Sequence, residues 1–201
     1  MNNVYELLDT SDAIDKNIQE VPLFGASFKK EGHNLYLQGL GRLSTRACNN
    51  LAHWTGVPAE FIDNLTQDTL NAVVREQLDR KGQNRFRVGL HPYGKEEIIF
   101  LQPMETPYLP YTKVLGPFSD KIETVIGDPV THDRLIAFQK IQDLDIPGEN
   151  LKLGQKLKVS STNIKPLTSE IMTLRMICTN GMVEKEHANK YTFNTRKASA
   201  D

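Results

Sequence analysis

The sequence predicts an α+β fold, a mostly antiparallel sheet with a helical cluster at about residues 44–81 packed on one face. Three observations carry this expectation. Capped helical periodicity is confined to the cluster, strand-like alternation flanks it on both sides, and Gly, Pro and Asn turn signals punctuate the strands. With 201 residues and 39% hydrophobic content the chain can bury one good core. A single domain over residues 21–201 is expected, preceded by an acidic arm or short helix at 1–20.

In that first stretch Val4, Leu7 and Leu8 make an apolar stripe, with Asp9, Asp12 and Asp15 beyond it. Alternation from Leu23 to Phe28, a turn over Lys30 to Asn34 and the run Leu35-Tyr36-Leu37 read as a hairpin. Ser44 is placed to cap a helix bearing Ala47, Cys48, Leu51, Ala52 and Trp54, which Gly56 closes in a left-handed conformation. Pro58 suits the first turn of a second helix with Phe61, Ile62 and Leu65 inward. Thr66 caps a third, with Leu70, Val73, Val74 and Leu78 inward and a stop near Gly82.

Phe86 to Leu90 and Glu97 to Gln102 form the next hairpin, around His91-Pro92-Tyr93-Gly94-Lys95. Pro103, Pro107, Pro110 and Pro117 break regular structure and predict a long loop or an edge strand there. Asp133 to Ile141 fits helix or strand equally. Leu157-Lys158-Val159-Ser160 alternates as a strand does. Ile171 to Cys178 reads as a centrally placed strand entering Asn180-Gly181, a type I′ hairpin signal, and Tyr191-Thr192-Phe193 ends the fold. The sheet is thus expected from strands within 23–40, 84–102 and 156–196.

Composition excludes several classes. No apolar run approaches the roughly 18–20 residues of a membrane helix, and the N-terminus lacks the basic start and apolar stretch of a secretory signal. Cys48 and Cys178 make no disulfide framework. A soluble protein of a reducing cytoplasm, with no membrane partner, is expected. The net charge of -1 conceals segregation. Residues 1–20 carry one basic and five acidic side chains, 21–87 nine and six, 88–150 five and ten, and 151–201 nine and four. A near-neutral chain can therefore present a basic face.

Between positions 80 and 87 stand Arg80, Lys81, Arg85 and Arg87 with Phe86 and no acid. Cations beside an aromatic suit a phosphate-contacting edge, though a solvated turn has the same composition. Leu51 to Leu65 has helix-turn-helix spacing, but Glu60 and Asp63 on the second helix would repel phosphate, which favours a packing α-hairpin. His33, His53, His91, His132 and His187 show no metal-ligand spacing, and Cys178 with His187 is a poor zinc half-site. Cys178 in an apolar strand reads as an inert core thiol. Gly39-Leu40-Gly41 lacks the Lys-Ser/Thr ending of a phosphate loop. No metal, cofactor or catalytic residue is expected.

The segment Leu174-Arg175-Met176-Ile177-Cys178-Thr179-Asn180-Gly181-Met182-Val183 resembles the signature of the uncharacterised phage/plasmid-like protein family, a domain of unknown function. The matching residues are Arg175, Cys178, Thr179, Asn180 and Gly181. Echoes at Leu43 to Leu65 and at Tyr108-Leu109-Pro110 run in the same order. The resemblance implies a mobile-element origin, a bacterial host cytoplasm and a part in DNA or RNA transactions, and it brings no catalytic residues. Physically the motif is a buried strand, with Arg175 needing a partner, leading into a turn. The expected function is nucleic-acid binding without base specificity, with Arg80, Lys81, Arg85 and Arg87 on phosphates. The alternatives are a factor that binds a host protein and an enzyme of unrecognised type; a homo-oligomer is compatible with each.

Overall fold

The capping signals between 44 and 82 are used as written. In the computed structural model, which describes residues 3–22, 28–82, 85–94, 96–146, 149–176 and 183–193, three helices follow one another: α2 (Thr45–Thr55), α3 (Ala59–Asn64) and α4 (Gln67–Lys81). The Ser44 and Thr66 hydroxyls accept from the Ala47 and Thr69 amides, and Gly56 and Gly82 end α2 and α4 at φ 78° and 63°. The helix α3 departs from expectation. Pro58 precedes it as the cap, Phe61 is 58% exposed, Leu65 is half-buried, and Ile62 alone is fully in the core. Neighbouring residues on a helix point about 100° apart, and with Ile62 turned into the core Phe61 falls on the outward side of this short helix.

These helices cover one face of a six-stranded sheet built from β1 (Ile18–Pro22), β2 (Phe28–Glu31), β3 (Asn34–Leu37), β4 (Gly41–Leu43), β5 (Arg85–Leu90) and β6 (Glu97–Pro103). The order is β1-β5-β6-β4-β3-β2, antiparallel except for β4 beside β6. Leu51, Trp54, Leu70, Val74 and Leu78 pack there against Phe86, Val88, Ile98 and Leu101. Because β4 is three residues long, it pairs with only the start of β6. Side chains of α2 complete the ladder: Asn50 Oδ1 accepts from the Leu101 amide at 3.3 Å, and Trp54 Nε1 donates to the Leu101 carbonyl at 3.1 Å.

The edge strand β2 is closed in the same manner by α4. Asn71 accepts from the Phe28 amide at 2.8 Å and donates to its carbonyl at 3.0 Å, imitating a neighbouring strand. Asn71→Leu should therefore cost about 1–2 kcal/mol by urea denaturation, since a buried backbone pair loses its partners. A loss of a few tenths would mean that water replaces them freely.

The remaining strands form a second sheet: β7 (Ile122–Ile126), β8 (Arg134–Ile146), β9 (Glu149–Ser160), β10 (Leu167–Met176) and β11 (Val183–Phe193). They run antiparallel throughout, in the order β11-β10-β9-β8-β7. One sheet was expected and two form, within the same α+β class. The undecided segment from Asp133 is strand β8, whose Leu135 and Ala137 alternate into the core. The opening stretch holds α1 (Val4–Asp15) and most of β1, so the position-20 boundary falls within a paired strand. With α5 (Tyr111–Leu115), α1 covers one face of the second sheet: Val4, Leu7, Tyr111 and Leu115 pack on Val125, Leu135, Ala137, Leu157 and Val159.

The proline-rich stretch is not only loop. Pro110 caps α5 and Pro117 opens the 3-10 turn Gly116–Lys121, entry positions where a missing N–H costs nothing. Residues 177–182 lie outside the described residues, and with them Cys178, Thr179, Asn180, Gly181 and the expected hairpin turn. The strands on either side, β10 and β11, pair antiparallel, with Met176 opposite Val183 and Arg175 opposite Glu184. No helix among the described residues is long and apolar enough to cross a membrane.

Candidate nucleic-acid interface

The four cations of the 80–87 stretch do not form one stripe. Arg80 and Lys81 end α4, on the helix-covered side of the first sheet, whereas Arg85 and Arg87 project from the face of β5 opposite the buried Phe86 and Val88. Each has an internal partner. Arg80 pairs with Glu76 and Arg85 with Glu20, both at 2.5 Å and well exposed. Lys81 donates to the Trp54 carbonyl. Arg87 donates to the carbonyls of Thr106 at 3.0 Å and Met104 at 3.4 Å, and Gln102 reaches Thr106 and Pro107, so Arg87 anchors the loop after β6. Surface pairs such as those of Arg80 and Arg85 contribute little and exchange readily for phosphate; Lys81 and Arg87 are committed to backbone.

The second sheet concentrates positive charge more effectively. Residues directly opposite in its ladders point to the same side, which sorts every strand into two faces. One is the core face under α1 and α5. Among the described side chains the reverse face carries six cations, Arg134, Lys140, Lys152, Lys156, Lys158 and Lys190, against two acids, Asp143 and Glu170. Its apolar members Ile136, Phe138 and Met172 belong to none of the buried core clusters. A cross-strand row runs Phe138, Lys156, Glu170, Lys190 from β8 to β11. Lys158 pairs diagonally with Glu170 at 2.9 Å, and Lys140 pairs with Asp143. The Lys156 ammonium sits 5.4 Å from the Phe138 ring centroid. Lys152, Lys156 and Lys190 have no acid partner among the ion pairs of the described residues.

Between the two sheets the chemistry is of another kind. Arg46, 4% exposed, donates to Ser161 Oγ at 2.9 Å and to the Pro129 carbonyl, approaches Asp133 at 3.8 Å and lies 5.5 Å from the Phe100 ring. Asp133 also accepts from the hydroxyls of Ser160 and Thr162. Nearby, Tyr108 donates to Asp15 at 2.5 Å; burial raises both groups above their ordinary pKa, with the Asp15 carboxylate adding to the rise at Tyr108. Arg46, Asp133, Tyr108 and Asp15 each have a fixed partner, although the buried Arg46 Nε has none, which suits a joint between sheets better than a reacting centre.

Among the described residues no group of three or more His, Cys, Asp or Glu side chains is disposed to hold a metal ion. Sequence reasoning singles out 80–87 because four cations and no acid fall within eight residues. It passed over Lys152, Lys156, Lys158 and Lys190, whose even spacing along strands was the available signal, together with the basic excess of 151–201. Comparison with protein-family models, with curated proteins and with solved structures returned no match.

Proposed function

We propose that this protein binds nucleic acid through its phosphates, without reading bases, on the reverse face of the second sheet. The observation that carries the reading is the six-to-two excess of cations over acids among the described side chains of one sheet face, in a chain whose total charge is -1. Lys156 and Lys158 alternate along β9 about 6.7 Å apart, and Lys190 lies two strands away, about 10 Å. Such an array offers point charges to a phosphate backbone and no bidentate base-edge donors, apart from Arg134, which is held to Thr168. The resemblance of Leu174 to Val183 to the phage/plasmid-like family supports a mobile-element setting. A protein partner is the second reading, favoured by Ile171, Tyr191 and Phe193, exposed together on the core face beyond the helices.

The test is fluorescence anisotropy of a labelled oligonucleotide at several salt concentrations. Three lysine contacts on a single strand give a log-log slope of about -2. Replacing Lys152, Lys156 and Lys190 by Gln should flatten the slope toward zero. Replacing Arg80, Lys81 and Arg85 should leave most of it; the opposite assignment would return the contacts to the 80–87 stretch.

A further inference from the structure

We infer that the occupant of this face is a single strand rather than a duplex, with one unpaired base stacked on Phe138; the inference rests on the phosphate-binding reading just given. Phe138 is half-buried on the cationic face, at the end of the row Phe138, Lys156, Glu170, Lys190. Its neighbour one row along is Gly154, directly opposite Lys140 and Met172. At the missing side chain lies a hollow of about 40 Å³ whose lining includes Phe138, Lys140, Lys152, Gly154, Met172 and Glu123. An aromatic ring beside a dent, with Lys152 at the dent and Lys156 at the ring, is a footing for a flat group whose substituent is anionic. A nucleotide with its base unstacked has that shape.

The contact between Lys156 and Phe138 gives the ring a removable cover. An ammonium over a half-buried ring is held by about 0.5–2 kcal/mol, and a phosphate on the adjoining nucleotide binds the same ammonium more strongly. Strand arrival therefore moves Lys156 from ring to phosphate and frees the ring for the base. In a duplex each base face is already covered by its neighbours, so Phe138 gains nothing and only the lysines contribute.

The experiment compares a labelled oligothymidine with a duplex of equal length, for the wild-type chain and for Phe138→Leu and Phe138→Trp. Leu keeps apolar volume, and thermal melts confirm that each variant is folded. The wild type should bind the single strand roughly tenfold or more tighter than the duplex, Phe138→Leu should lose roughly tenfold on the single strand alone with its salt slope intact, and Phe138→Trp should retain affinity. Equal affinity for both forms, or a Leu variant indistinguishable from wild type, overturns the single-strand inference and leaves phosphate binding standing. Absence of binding to either probe at low salt removes both.

Discussion

Arg46→Met should destabilise the protein by about 3–5 kcal/mol, the loss expected when one partner of a buried ionic group is removed. Met approximates the length of the Arg46 stem, so little cavity accounts for the effect. What disappears is the donor set. The Ser161 hydroxyl and Pro129 carbonyl lose their guanidinium, Asp133 keeps two hydroxyl donors but loses its nearby cation, and Phe100 loses the charge above its ring. Arg46→Lys should recover only part of the loss, because one ammonium cannot span these partners as a planar fork does. Urea denaturation of the three proteins measures the series. A Met variant within about 1 kcal/mol of wild type would show that the joint between the sheets is held by apolar packing instead.

Gly89→Ala is expected to cost at least about 3 kcal/mol, at the upper end for overpacking a core. A Cβ at position 89 would lie 2.1, 2.4 and 2.8 Å from three atoms of the Phe100 ring. Phe100 has no exposure, stacks on Tyr108 at 5.5 Å and is covered by Arg46, so it has nowhere to move. The glycine is needed for space and not for an unusual backbone angle, since its φ is not positive. The pair mutant Gly89→Ala with Phe100→Leu should regain part of the stability. If Gly89→Ala alone melts like wild type, β5 and β6 are not packed this closely.

Local chemistry was legible in the sequence wherever it acts on neighbours. Ser44, Thr66, Gly56 and Gly82 bound their helices because caps act within a turn, and β5 with β6 is readable from two strand-like segments about a short turn. What escaped depends on partners distant in sequence. The division into two sheets goes with α1 and α5 covering β7, β8 and β9 while α2, α3 and α4 cover the first sheet, contacts between segments far apart in sequence. Pro110 and Pro117 open short helices, yet look like loop markers until Tyr111 and Leu115 are seen buried. The candidate site was half legible. The basic excess of residues 151–201 is plain in the sequence, but the cationic face exists only because register aligns Phe138, Lys156 and Lys190. Arg87 shows the converse: adjacency suggested a phosphate contact, and the fold spends it on the carbonyls of Met104 and Thr106.

The most direct test of the central claim is the salt dependence of oligonucleotide binding, measured side by side for the wild-type chain and the variant carrying Lys152→Gln, Lys156→Gln and Lys190→Gln. The account predicts a wild-type log-log slope near -2 that collapses toward zero in the variant, with both proteins equally folded. A slope that survives the three substitutions, or no binding by the wild type at low salt, would contradict it.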